Sequence, residues 1–161
     1  MVKIPKWALK MPWPVISKEA DRNGLDCILV ASIIQTESGC RQYVARFEAK
    51  YRWLVRPTQM GNTLEITPET EEIFQKMSFG YMQIMGATAR DLGFKGQLPE
   101  LFDINTNIKY GCKYLKTLQD KYGDEPSVIS SYNAGSPRKH GEMFVNESYV
   151  DKVYSYINQL R

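Results

Sequence analysis

The chain has 161 residues and a net charge of +3, with 43% hydrophobic and 24% charged residues. That is enough for one domain that buries a sizeable core without disulfide or metal staples, and it excludes a disordered or fibrous chain. The longest apolar runs fall well short of the ~20 residues of a membrane span, and no dense Lys/Arg block or basic stripe argues for nucleic acid. The opening MVKIPKWALKMPWP has lysines but no uninterrupted apolar core and no small-residue cleavage site, so no signal peptide is expected. The cysteines Cys27, Cys40 and Cys112 have no metal-ligand spacing. Cys27 and Cys112 lie in apolar helical patterns and read as core residues, while Cys40, close to Glu37, is the one to weigh as a reactive thiol.

Pro14 suits a first helical turn, and Val15, Ile16 and Ala20 give an apolar stripe that ends at Asn23 and Gly24. A second helix is expected from the N-cap Asp26 to the stop at Gly39. From Gly39 to Phe79 the apolar period changes: Tyr43, Ala45 and Phe47 alternate with Val44, Arg46 and Glu48, and extended or irregular structure is expected until Thr67-Pro68 starts a helix reaching about Met77. This insert, at about 41–79, is long enough to serve binding. A small helix over Ala87–Leu92 closes at Gly93, and Gln97–Phe102 makes a turn. Ile104, Ile108, Cys112, Leu115 and Tyr122 then recur at helical spacing up to Gly123. Pro126 opens a helix ending at Asn133-Ala134-Gly135, the tract Ser136–Asn146 reads as polar loop, and Tyr149–Leu160 closes the chain as an amphipathic helix. The fold class expected is mainly α, a single domain over 1–161 with at most a minor hairpin in the insert.

The second helix carries the chemistry. Ile28, Leu29, Val30, Ala31, Ile33 and Ile34 leave almost no polar face, so it belongs in a core. Glu37 follows Val30 by seven, Ile33 by four and Ile34 by three, which puts a carboxylate on an apolar side. It also sits in the last turn, where helix dipole and desolvation both favour the protonated form, as suits a general acid. The stretch alone leaves open that Glu37 simply reaches past the helix end into water. Two further pieces lie at helix ends or turns, Gly80–Ile84 (GYMQI) and Ser131–Gly135 (SYNAG). One carboxylic acid, amides and a phenol make an inventory suited to cleaving sugars, since amides bind acetamido and hydroxyl groups and a phenol can hydrogen-bond the carboxyl.

These pieces, in this order, resemble the lytic transglycosylases of the soluble-lytic-transglycosylase type, relatives of goose-type lysozyme. Glu37-Ser38 matches the family's Glu-Ser pair at the end of a central helix. Gly80, Tyr81, Met82 and Gln83 match Gly-Leu-Met-Gln, with Tyr81 in place of leucine, and Ser131–Gly135 matches Ala-Tyr-Asn-Ala-Gly. The TAxxLG tract after Gln83, and Tyr149, Val150 and Val153, also look like the family. The gap between Ser38 and Gly80, with its Arg46-Phe47-Glu48 tract, is longer than in many members and looks like phage or prophage versions.

The resemblance implies a lysozyme-like fold and cleavage of the β-1,4 bond between N-acetylmuramic acid and N-acetylglucosamine in peptidoglycan. It makes Glu37 catalytic, Gln83, the Met82 backbone and Asn133 sugar-binding, Ser38 a positioning residue and Tyr132 the hydrogen-bond partner of Glu37. No cofactor or metal is implied, and His140 reads as a solvated loop residue. The expected partner is the glycan strand, bound by a monomer that is made in a host cytoplasm and acts on the wall after release or from a virion. Two alternatives stand beside it: a muramidase of the same fold in which Glu48, Glu65 or Asp91 activates water, and a non-catalytic virion protein that grips peptidoglycan.

Overall fold

A computed structural model describes residues 4–161, and these residues form eight α-helices, two short 3-10 turns and five short strands. They divide into two compact units, one made of residues up to Cys40 together with Cys112–Arg161, the other of Arg41–Gly111.

In the first unit, α1 (Trp13–Asn23) carries a proline in its first turn and stops at Gly24, which is left-handed at φ 61°. The central helix α2 (Cys27–Ser38) starts where the Asp26 side chain accepts from the Ile28 N–H at 2.8 Å. It ends at Gly39, also at φ 61°, whose N–H donates to Gln35 O. Leu29, Val30, Ala31, Ile33 and Ile34 are buried, as an all-round apolar helix requires. Each fully buried isoleucine contributes roughly 1.5–3 kcal/mol of transfer free energy. Helix α2 packs against α1 and against α8 (Glu147–Ile157), whose Val150, Val153 and Ile157 supply the facing stripe. Helix α7 (Glu125–Ala134) is capped by Asp124, which accepts from the Ser127 N–H at 2.9 Å, and it ends at the left-handed Gly135. That backbone hydrogen bond holds the Asp124 carboxyl below its ordinary value.

Helix α6 (Ile104–Tyr122) supplies its residues from Cys112 onward to this unit. Cys112 is fully buried, and burial pushes its thiol up to about 12. Cys27, at the first position of α2, is only half-buried rather than a full core residue. Cys40 donates its S–H to Lys10 O at 3.1 Å, and partial burial raises its pKa. A thiol shifted in that direction is less nucleophilic at neutral pH, the opposite of an activated cysteine.

The second unit holds a three-stranded antiparallel sheet in the order β1 (Ala45–Phe47), β2 (Met77–Phe79), β3 (Ile84–Met85). Ala45 pairs with Phe79, Phe47 with Met77, and Phe79 with Ile84. Between β1 and β2 lie α3 (Pro57–Thr63) and α4 (Pro68–Gln75), the latter capped by Thr67, and α5 (Gly86–Asp91) follows β3. Helix α3 is absent from the sequence expectation because Gly61, Asn62 and Thr63 are poor helix formers. Packing overrides propensity: a Cβ at Gly61 would lie 3.1–3.2 Å from the backbone of Ile66 and Pro68, so glycine eases the close approach of α3 to the start of α4. Beneath these helices a buried network joins Arg90 to Glu71 through two bonds of 2.7 and 3.0 Å. Arg90 also donates to the carbonyls of Phe94 and Gly96, while Gln75 bridges Glu71 to the Val55 backbone.

The tract read as polar loop contains a ribbon of β4 (Lys139–His140) and β5 (Met143–Phe144) in the first unit. Its two-residue turn begins with Gly141 at φ 65°, the kind of residue that a tight hairpin needs there. Among the described residues no helix is long and apolar enough to cross a membrane.

Candidate active site

Glu37 occupies the last turn of α2 and is partly buried. Its Oε1 accepts a hydrogen bond of 2.6 Å from the Tyr149 hydroxyl, at the start of α8. The resemblance assigns such a bond to Tyr132 of α7; Tyr149, 112 residues away in sequence, is a phenol seated on the carboxylate that the resemblance does not assign. Tyr132 is nevertheless close: it is 8% exposed, and its ring lies 5.3 Å from that of Tyr114 on α6. The hydroxyls of Tyr132 and Tyr149 are both held well above the ordinary tyrosine pKa, first by burial and then by the negative charge of Glu37. Tyr114 adds to the same shifts. Two phenols, from α7 and α8, thus lie by one carboxylate with Tyr114 of α6 beside them, and raised pKa values keep Tyr132 and Tyr149 protonated, as hydrogen-bond donors, throughout the physiological range.

The sequence carries part of this signal. Tyr149 belongs to the closing Tyr-Val pattern, but nothing local distinguishes it from a core tyrosine at the start of an amphipathic helix. Tyr114 had no signal beyond helical spacing. Ser38 is buried and donates to Ile34 O at 3.2 Å, a back-bond within α2 that fixes the helix end next to Glu37. Asn133 is exposed, and its side-chain carbonyl accepts from Asn146 at 3.1 Å. Asn146 in turn is tied to Ser130 by two bonds of 2.7 and 3.0 Å, so the end of α7 is held in a defined position.

In the second unit the Gly80–Gln83 motif is the turn between β2 and β3. Gly80 has φ 66°, and a Cβ there would lie 2.6 Å from Nδ2 of Asn107, so both backbone conformation and space require glycine. Asn107, fully buried on α6, is the residue that sequence reading missed. Its Oδ1 accepts from the Met82 N–H at 2.8 Å, and its Nδ2 donates to Phe79 O and Leu101 O, each at 2.7 Å. The only sequence trace of it is an amide beside Ile108, on the inward stripe of an amphipathic helix. Met82 is fully buried and packs over Gly111, where a Cβ would come within 2.9 Å of Met82 Cβ. Tyr81 is half-buried.

Gln83, read as a sugar ligand, spends its amide inside the unit. Nε2 donates to Val44 O at 3.0 Å and Gly80 O at 2.9 Å, while Oε1 accepts from the Ser78 hydroxyl at 2.9 Å. At φ 47° Gln83 is itself left-handed, a conformation these bonds help to hold. Glu48, the second acid considered, is ion-paired with Arg46 at 2.5 Å.

The geometry makes a test of Tyr149 direct. A hydrogen bond to a charged acceptor contributes about 1.5–3 kcal/mol, so if the bond is kept through the proposed reaction Tyr149→Phe is expected to lower turnover by about ten- to a hundredfold and to lower the melting temperature by a few degrees. Tyr132→Phe is expected to cost less. Steady-state rates of the two variants measured side by side check this, and equal losses would return the role to Tyr132.

The chain is 29% identical over 148 residues to the transglycosylase of Enterobacteria phage PRD1, covering 92% of this chain and 43% of that protein. It is 28% identical over 171 aligned positions to the membrane-bound lytic murein transglycosylase C of Histophilus somni strain 2336, covering 91% of this chain and 39% of that protein. The chain therefore spans about two-fifths of the length of these curated relatives. Residues 14–149 match the family described as the transglycosylase SLT domain. That span contains Glu37, Gly80–Gln83, Tyr132, Asn133 and Tyr149, and covers most of the chain: the protein belongs to the transglycosylase SLT domain family.

Proposed function

We propose that the chain is a peptidoglycan lytic transglycosylase that cleaves the β-1,4 bond between N-acetylmuramic acid and N-acetylglucosamine and leaves a 1,6-anhydromuramic end. The observation that carries this reading is the carboxylate of Glu37, set beside the protonated phenols of Tyr132 and Tyr149 in a chain of the SLT family. Glu37 gives its proton to the glycosidic oxygen as the C1–O bond breaks, and the N-acetylglucosamine side leaves as an alcohol. The substrate's acetamido oxygen stabilises the cationic C1, which removes the need for a second protein carboxylate. Glu37, now ionised, takes the proton of the C6 hydroxyl as O6 bonds to C1, and the acid is regenerated. Water is not consumed. Tyr149 keeps the carboxylate oriented in both half-reactions, and its bond strengthens whenever Glu37 is charged.

In the first unit the resemblance offers Asn133 as a sugar contact, and in the second unit, taken by itself, the backbone of the Gly80–Gln83 turn. Because the Gln83 side chain is occupied by Val44, Gly80 and Ser78, its part is to hold the turn rather than to reach the substrate. The chain acts as a monomer on wall peptidoglycan, after release from a host cytoplasm or from a phage particle, a role supported by its likeness to the phage PRD1 transglycosylase.

Digestion of purified peptidoglycan in ¹⁸O-labelled water tests the reaction. The expected product is 1,6-anhydromuropeptide without label and without new reducing ends. Labelled reducing muramic ends would make the enzyme a hydrolase and send the search for a water-activating base to Glu48, Glu65 and Asp91.

A further inference from the structure

A cavity of about 260 Å³ in the first unit is lined by Lys6, Trp7, Lys10, Gln35 and Gly39. Three of its lining residues precede residue 14, where the match to the SLT family begins. The wall is built rather than draped. Trp7 Nε1 donates to Gln159 Oε1 at 3.0 Å, and its ring packs edge-on against Tyr156 at 5.2 Å. The 3-10 turn Ala8–Lys10 is pinned by Trp13 Nε1 on Ala8 O at 2.9 Å and by the Cys40 thiol on Lys10 O. Lys6 and Lys10 are both exposed, and among the described residues neither has a carboxylate within ion-pair distance.

Gln35 and Gly39, four apart, share one side of the end of α2, whereas Glu37, two residues from each, projects from the other. The two places are nonetheless tied to one helix. Tyr149, which holds Glu37, and Tyr156, which backs Trp7, are seven residues apart on one face of α8, about 10 Å along its axis.

We infer that this cavity is a binding site for a carboxylate-bearing saccharide, the acidic, peptide-substituted disaccharide unit of peptidoglycan, held away from the scissile bond. The chemistry is that of its lining. Two ammonium groups without an internal counterion attract a carboxylate, an indole surface suits the apolar face of a sugar ring, and the Gln35 amide can both donate to and accept from acetamido or hydroxyl groups. The proposal rests on the reading of the enzyme as peptidoglycan-directed. It adds an anchoring point that keeps a long strand attached while Glu37 works on one bond of it.

The test uses the full chain carrying Glu37→Gln, so that binding is read without turnover. Tryptophan fluorescence is titrated with a purified disaccharide-tetrapeptide, with neutral chitotetraose and with inorganic phosphate. The expected result is saturable quenching by the muropeptide that disappears in Trp7→Phe. Affinity should weaken about tenfold in the Lys6→Gln/Lys10→Gln double variant and fall as salt rises from about 0.05 to 0.5 M. Chitotetraose binding as tightly as the muropeptide would overturn the role of the lysines. Phosphate competing equally would reduce the cavity to a simple anion site, and quenching that persists in Trp7→Phe would remove it altogether. Anhydromuropeptide release by the unmutated enzyme is measured separately: turnover without the Trp7 signal sinks the site and leaves the function, and the signal without turnover does the reverse.

Discussion

Glu37→Gln should abolish clearing of peptidoglycan while leaving the fold intact. The amide keeps an oxygen where Tyr149 donates its 2.6 Å bond, so the contact between α2 and α8 survives the change. What is lost is the proton that, in the proposed reaction, leaves and returns in each cycle. Acid–base contributions are typically 10²–10⁴-fold, and in that reaction one group performs both steps, so residual activity should fall below about one per cent. Far-UV circular dichroism and melting temperature should match the unmutated protein or exceed it, because an ionisable group has been removed from a partly buried, apolar place. Activity above that level in a correctly folded variant would end the assignment of Glu37 as general acid.

The largest effect on stability is expected at Arg90. Its guanidinium and the Glu71 carboxylate are essentially fully buried, at 1% and 0% side-chain exposure. Desolvating both charges is costly, and the pair is tolerated because further hydrogen bonds surround it, from Gln75 to Glu71 and from Arg90 to the carbonyls of Phe94 and Gly96. Arg90→Met leaves Glu71 charged in a dry interior and should cost about 3–5 kcal/mol in urea unfolding. That is a large share of the ~5–15 kcal/mol available to a domain of this kind. The double variant Glu71→Leu/Arg90→Met should regain part of the loss, since no charge is stranded. It will still carry the cost of the unpaired Phe94 and Gly96 carbonyls. A single variant within about 1 kcal/mol of the unmutated protein would show that water reaches the pair.

Sequence reading and structure agree most closely where interactions are local. Asp26 and Thr67 cap their own helices through bonds to N–H groups two or three residues on, and Gly24, Gly39 and Gly135 stop theirs with left-handed backbone. Such signals need no partner from elsewhere in the chain. They go wrong where packing overrules propensity, as at α3, whose glycine eases its close approach to the start of α4. They also go wrong where a hairpin hides in a polar tract, as at Lys139–Phe144. The pairing of Ala45–Phe47 with Met77–Phe79 spans some thirty residues and has no signature in either segment alone.

At the site the same division holds. That a carboxylate ends an apolar helix, at Glu37, was determined by the sequence itself, because helical period and end signals act within a few residues. That the Tyr149 phenol meets that carboxylate was decided only by tertiary structure, since it arrives from 112 residues away on a helix placed by its own buried stripe. Likewise, that Gln83 turns inward and that Asn107 holds the Gly80–Gln83 turn follow from backbone groups 25 and more residues apart being brought within hydrogen-bond reach. Chain order says which polar groups are present, whereas the packing of helices and strands, which buries them and demands a partner for each, says which of them meet.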